Sequence, residues 1–241
     1  MTDKVPVSIW AKDYVTSNPI GDAEIVDLPT GERWKTGADG YAHVMAEPGR
    51  IITPVLEKEG YPRMQGPTVT IPPDGLNDAD HEITLQVPGN GVYRALMTAF
   101  GKPQPGRHHV VTTVSALGKN LHDDEGEKGV SVTLRSADGA SRNDAVYLGT
   151  FLGKTEWIRP ILSVRLPFLR AALAHKATSF DGGAIFMNVP PGDYIFEARK
   201  NGVTISSAAM TIYPNSPNVI NVSPPWGPKV KGPAPSGPSP I

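Results

Sequence analysis

The sequence predicts an all-β protein made of two tandem antiparallel β-sandwich domains, with a short helical insertion in the second. Three observations predict it. The 241 residues contain 25 Gly and 25 Pro, more chain-reversing residues than a helical bundle tolerates. Between the turns lie short segments of alternating or β-branched residues. Finally, one pattern occurs twice: Thr36, Asp39-Gly40, Pro48-Gly49 and Gly60-Tyr61 reappear as Thr178, Asp181-Gly182, Pro190-Pro191-Gly192-Asp193-Tyr194 and Asn201-Gly202, with a strand-like segment between successive turns.

The first strand is predicted over Val5–Ala11, where Val5, Val7 and Ile9 share a face. Ala23–Leu28 is a second, and Pro29-Thr30-Gly31 turns it into a third at Glu32–Thr36. Asp39-Gly40 is a hairpin signal because this pair accepts positive φ, and Tyr41–Met45 alternates after it. Ile51–Lys58, Thr68–Ile71 and Glu82–Val87 complete the first unit. In the second, His109–Ser115 is almost entirely β-branched, and Val130, Val132 and Leu134 share a face. Ala184–Asn188, Asp193–Lys200, Val203–Ile212 and Asn218–Val222 follow.

These signals divide the chain into a first domain at 1–88, a Gly/Pro-rich linker at 89–106, a second domain at 107–226 and a Pro-rich flexible tail at 227–241. Val92–Phe100, inside the linker, is compatible with a strand or with one or two helical turns. The second domain carries an insertion, 152–176, that the first lacks. Pro167 suits the first turn of a short helix over Phe168–His175.

The second copy, Thr178…Asp181-Gly182…Phe186…Val189-Pro190-Pro191-Gly192-Asp193-Tyr194…Ala198…Gly202, resembles the signature of prealbumin-like (transthyretin-like) modules, the carboxypeptidase regulatory-like domains of bacterial proteins. The first copy is a looser version, with His43-Val44-Met45 in place of the phenylalanine-centred strand. The resemblance implies an Ig-like or prealbumin-like sandwich and a non-catalytic accessory role. Its motif contains no catalytic residue to carry across, because turn motifs specify fold and not activity. Related adhesin modules form a Lys–Asn isopeptide bond; Lys12 or Lys119 with Asn218 or Asn221 would be the counterparts, and no spacing singles out a pair.

Charge is nearly balanced, 23 Lys+Arg against 24 Asp+Glu, so no overall field directs the protein to nucleic acid. With no cysteine, there is no disulfide, thiolate metal site or cysteine nucleophile. No signal peptide is visible at the N-terminus, so the expectation is a cytoplasmic protein or part of an assembly not exported by the ordinary route. Neither a Gly-x-Ser-x-Gly elbow nor a phosphate-binding loop occurs. The Tyr and His spacings do not reproduce the iron site of the intradiol dioxygenases, which also use a prealbumin-like sandwich.

Four sets of residues remain as candidates. His108, His122 and Asp123 supply imidazole and carboxylate groups that could bind a metal ion, although adjacent His108 and His109 on a strand point to opposite faces. Asp123, Asp124, Glu125 and Glu127 could hold calcium but lack an ordered loop spacing. Trp10, Trp34 and Trp157 could be stacking platforms of a carbohydrate-binding sandwich. Trp157, Ile161, Arg165, Phe168 and Arg170, in the basic and apolar insertion, form a candidate partner-binding surface, with the alternative that they plug a sheet or a domain seam. Pro160 and Pro167 break the long amphipathic helix that membrane contact through 157–176 would favour. The leading reading is a non-enzymatic structural or binding module acting through a protein partner or self-assembly; a metal-binding protein or metal-dependent enzyme and a carbohydrate-binding protein are the alternatives.

Overall fold

The computed structural model describes residues 3–77, 82–114, 127–147, 177–178 and 183–222. The expected insertion at 152–176 and tail at 227–241 lie outside them. In chain order the first half forms β1 (Val5–Asp13), β2 (Glu24–Asp27), β3 (Arg33–Lys35), β4 (Tyr41–Ala46), β5 (Ile51–Ile52), β6 (Pro54–Glu57), β7 (Met64–Gln65), β8 (Val69–Thr70) and β9 (Ile83–Val87). Helix α1 (Asn90–Phe100) follows. The second half forms β10 (His108–Thr113), β11 (Ser131–Ser136), β12 (Arg142–Asp144), β13 (Val146–Tyr147), β14 (Gly183–Val189), β15 (Gly192–Lys200), β16 (Val203–Ile212) and β17 (Val219–Asn221). The protein is all-β with one short helix among the described residues.

Alternation along each strand sorts side chains between core and surface. In β1, Val7, Ile9 and Ala11 are buried with Ala42, Ile83 and Leu85 in the first core. Val132, Leu134, Phe186 and Phe196 fill the second, where the two phenylalanine rings meet edge to face at 6.4 Å.

Both halves use one pairing scheme. β1 pairs antiparallel with β4 and parallel with β9; β10 pairs antiparallel with β14 and parallel with β17. Facing these, β3-β2-β6-β7 in the first half corresponds to β12-β11-β15-β16 in the second. The sandwiches are therefore antiparallel except where first and last strands meet. The repeat extends to single hydrogen bonds. Thr36 Oγ1 accepts from the Ala23 N–H (2.9 Å) and donates to the Ile20 carbonyl (2.8 Å). Thr178 Oγ1 accepts from the Val130 N–H (2.9 Å) and donates to the Glu127 carbonyl (2.5 Å). Each threonine is buried, and its hydroxyl satisfies two backbone groups where a strand begins.

The halves are joined edge to edge. β17 lies parallel to β7 through Ile220 and Gln65, giving an eight-stranded sheet in the order β13-β14-β10-β17-β7-β6-β2-β3. Fully buried Gln65 holds this joint. Its Nε2 donates to the Thr211 carbonyl at 2.9 Å and its Oε1 accepts from the Ser216 hydroxyl at 2.5 Å. Thr68 Oγ1 accepts from the Thr211 N–H at 3.0 Å, and Asn221 Nδ2 donates to the Gln86 carbonyl at 2.8 Å.

Several elements differ in detail from the sequence expectation. The stretch 89–106 contains a helix of 11 residues. The expected strand Ile51–Lys58 is split at Thr53, whose N–H is drawn to Asp27 Oδ1 at 2.9 Å and whose carbonyl accepts from Leu28. β5 consequently pairs with β8, and β6 with β2. β7, β12 and β13 are too short to leave a periodic signature.

Candidate functional site: the groove beneath helix α1

Helix α1 starts after Gly89 and ends at Gly101, whose φ is 80°. No side chain caps its N-terminus, its first turn has no acidic residue and its last turn no basic one. A helix of this length without caps depends on tertiary contacts. Those contacts are concentrated at its ends. The Asn90 N–H donates to the Gly60 carbonyl at 2.9 Å. At the other end His109 Nε2–H donates to the Gly101 carbonyl at 3.1 Å, and the Gln104 N–H donates to Asn188 Oδ1 at 2.9 Å.

Between these tethers the helix stands away from the sheet. Tyr93 and Met97 pack against the first core, yet neither is fully buried, and Val92, Leu96 and Phe100 are also only half-covered. The space beneath is a small groove with a cavity volume of about 50 Å³, partly open to solvent. The helix forms one wall, Tyr14, Val15 and Met64 another, and Val111, Ile185 and Val219 the floor. Two of the polar side chains bordering it are already engaged: Thr112 Oγ1 donates to the Val222 carbonyl at 2.6 Å, and Asn221 bonds Gln86. What faces the space is chiefly hydrocarbon, contributed by both halves of the chain and the helix that links them. A site with this lining selects for apolar shape and offers little to a charged ligand, and its volume suits a side chain rather than a whole small molecule.

A second arrangement lies on the outer face of the sheet β4-β1-β9. Trp10 and Tyr41 stack at 5.8 Å, Tyr41 and His43 at 5.5 Å, and Lys12 Nζ stands 4.8 Å from the centre of a Trp10 ring. Trp10 Nε1–H donates to the Asp39 carbonyl at 3.3 Å, and Ser8 Oγ and His43 Nδ1 are 3.1 Å apart. Burial and the neighbouring Glu82 carboxylate push the Tyr41 hydroxyl up to about 12. Of the other tryptophans raised as platforms, Trp34 has Arg50 over its ring at 5.6 Å, and Trp157 lies outside the described residues.

His108 and His109 are both buried, but they are engaged separately. His108 Nδ1 donates to the Pro217 carbonyl at 2.8 Å, leaving Nε2 buried without a partner among the described residues. His109 Nδ1 accepts from the Asn188 N–H at 3.2 Å while Nε2–H serves Gly101, so both nitrogens are used in the neutral form. Burial holds His109 below the ordinary histidine value. His122 and Asp123 lie outside the described residues, as do Asp124 and Glu125; Glu127 Oε1 pairs with Lys200 Nζ. Among the described residues no group of three or more His, Asp or Glu could hold a metal. Of the isopeptide counterparts, Lys12 lies opposite Gln86 on the parallel pair β1–β9, Asn221 bonds the Gln86 carbonyl, the Asn218 carbonyl accepts from the His109 N–H, and Lys119 is outside the described residues.

All five candidate partner-binding residues, Trp157, Ile161, Arg165, Phe168 and Arg170, lie outside the described residues. Sequence reasoning missed the groove. Its signal was the spacing Val92, Leu96, Phe100 with Tyr93, Met97, two rows at helical intervals within a stretch read as a linker.

No protein-family profile matches the chain, and no curated protein matches it. Among solved structures it is similar to GBS52, the minor pilin of Streptococcus agalactiae, at 14% identity over 98% of this chain and 99% of that one, with a TM-score of 0.29. It is also similar to BcpA, the major pilin subunit of Bacillus cereus, at 9% identity over 92% of this chain and 98% of that one, TM-score 0.26. The Bacillus anthracis TIE protein matches at 11% identity over 92% of this chain, TM-score 0.27, and the chain spans 34% of that protein's length. The fold assignment stands on the strand pairing itself.

Proposed function

We propose that this protein is a non-enzymatic binding module that engages a protein partner in a larger assembly, and that the groove beneath α1 receives an apolar segment of that partner. The supporting observation is the half-covered apolar face of α1, held over a hydrocarbon floor by tethers at its two ends. Such a face is left partly solvated only at a cost, of about 25 cal/mol for each Å² of apolar surface, that an inserted side chain would remove. The resemblance of the repeated turn motif to prealbumin-like accessory modules supports the same class of function.

The test is photo-crosslinking. A photoreactive phenylalanine analogue at Leu96, in cells expressing the protein, is expected to give a discrete adduct with a polypeptide, and Val15→Glu, at an exposed position of the groove wall, is expected to abolish it. An adduct with a lipid or another small apolar molecule, or none, would overturn the reading.

The stacked Trp10–Tyr41–His43 row favours a second reading, a carbohydrate-binding face. Aromatic faces flanked by polar side chains suit the apolar faces of sugar rings. Binding on a glycan array that is lost in Trp10→Ala would support it; an empty array would remove it.

A further inference from the structure

Beyond the groove, the geometry points to a second contact: the free edge of β16 is a strand-addition site for another copy of this chain, paired antiparallel about a two-fold axis at Ser207. β16 ends the sheet β12-β11-β15-β16 and, with 10 residues, is the longest edge strand described. Thr211 fixes which backbone groups point outward, because both its N–H and its carbonyl bond to the first half, through Thr68 and Gln65. Strand alternation then directs the N–H and carbonyl of Ala209 and Ser207 the same way. Neither residue has a partner for these groups among the described residues.

An open edge is ordinarily guarded by charge, proline or brevity. β3 carries Arg33 and Lys35, and β13 has two residues. β16, Val203-Thr-Ile-Ser-Ser-Ala-Ala-Met-Thr-Ile212, has neither charge nor proline; its register against β15 shifts at Ile205, so its regular open stretch runs from Ser206 to Thr211, and Val203 is the most exposed large apolar residue described, at 64%.

Three arguments choose the occupant. The tail from Pro224 cannot supply a ladder, because its seven prolines, spread over 224–240, have no N–H to donate. Within the chain, the position equivalent to this edge is β7, which is covered by β17; the first-half counterpart of β17 is β9. All five residues of β9 are buried and the Gln86 carbonyl is taken by Asn221, so a head-to-tail chain of copies through β9 is closed off. Among the described residues what remains is the edge against itself, and a monomeric wild type would be the outcome if the insertion at 152–176 took the edge instead. Centred on Ser207, within the stretch of β16 that keeps regular register, Ser206 faces Ala208, small against small, with no like charges opposed. Glu197 on the adjacent strand is already paired with Arg135 and Arg199.

Sedimentation velocity between about 1 and 100 µM tests this, since so short an interface is expected in the weak range. The wild type is expected to pass from monomer to dimer, and Ser207→Pro to remain monomeric. That change removes only an outward N–H and leaves the β15 ladder in place, which circular dichroism checks. The chain has no cysteine, so Ser207→Cys alone should give a disulfide dimer on mild oxidation, with Val15→Cys as the control that does not. Monomer throughout, no Ser207→Cys dimer, or a dimer undisturbed by Ser207→Pro would each overturn the proposal, and open polymers would indicate a head-to-tail contact instead. Val15→Glu is remote from this edge, so failure of the groove reading and failure of this one are separable.

Discussion

Replacing Gln65 by leucine tests whether the joint between the two halves is held by its buried amide. The side chain is fully buried and carries two hydrogen bonds across the joint, to the Thr211 carbonyl and from the Ser216 hydroxyl. Leucine has a similar volume, so little cavity forms and the change isolates the polar contribution. The Thr211 carbonyl would keep only the Thr68 hydroxyl at 3.5 Å, at the edge of hydrogen-bonding distance. Ser216 Oγ would still accept from the Tyr213 N–H at 2.8 Å, but its own proton would lose its acceptor. A fully buried group left unpaired costs about 1–3 kcal/mol, but the Thr211 carbonyl and Ser216 hydroxyl are only half-buried and water replaces part of what they lose, so the change should cost about 1–2 kcal/mol in all. Urea unfolding in a Trp157→Phe, Trp226→Phe background, where Trp10 and Trp34 report on the first half, measures it. The wild type is expected to unfold with coincident fluorescence and circular-dichroism transitions, and Gln65→Leu to separate them as the halves uncouple. Thr68→Val, which removes the acceptor for the Thr211 N–H, should be non-additive with it. A loss below about 0.5 kcal/mol, the range of an ordinary surface change, would refute the reasoning.

Three further outcomes are expected. Asp27 is fully buried and bonds Arg50, the Thr30 hydroxyl and the Thr53 N–H, so Asp27→Ala should cost about 3–5 kcal/mol in denaturant unfolding, and Asp27→Asn less. Tyr41, pushed up to about 12 by burial and Glu82, favours its neutral form when folded; the associated stability is complete below the ordinary tyrosine value of 10.0 and is lost as pH rises to about 12, a loss that Tyr41→Phe should remove in pH-dependent thermal melts. Burial lowers His109 below its ordinary 6.5, so its contribution is complete above that pH and falls away as pH drops through the folded value; protonating Nδ1 would oppose the Asn188 N–H, and hydrogen exchange at the α1 C-terminus should quicken there, with His109→Gln flattening the change.

The strands legible in the sequence are those whose partners follow from alternation and tight turns. Tyr41–Ala46 follows Asp39-Gly40, where Gly40 has a φ of 80° and an added Cβ would lie 2.6 Å from the Ala11 carbonyl oxygen. β15 and β16 likewise flank Asn201-Gly202, both at positive φ, as a two-residue hairpin turn requires. Pairs such as β7 with β17 were not legible, because two- and three-residue strands have no period and their partner is set by tertiary contacts such as those of Gln65. The helix was half legible: its apolar rows were present, but Gly89, Gly91 and Gly101 and the absence of caps argued for a linker. His108 and His109 bond to different partners, and their roles as buried backbone partners depend on Pro217, Gly101 and Asn188, all distant or turn residues that spacing alone cannot bring near.

Both proposed contacts arise where the two halves cease to be equivalent. Thr36 and Thr178 hold the same four backbone positions, so the repeat itself is occupied with folding. The fourth strand of each inner sheet breaks the equivalence: β7 is covered by β17, whereas β16, its counterpart, meets the first half only near Thr211 and is open from there back toward Val203. The same junction that covers β7 suspends α1 over the seam, since the helix is fixed to Gly60 of the first half at one end and to His109 of the second at the other, across the joint in the eight-stranded sheet. A tandem pair joined edge to edge thus leaves an open edge at its far end and an imperfectly filled groove at its joint. Substitutions in α1 that fill the groove, such as Val92→Leu, should therefore tighten the seam while leaving the β16 edge as open as before.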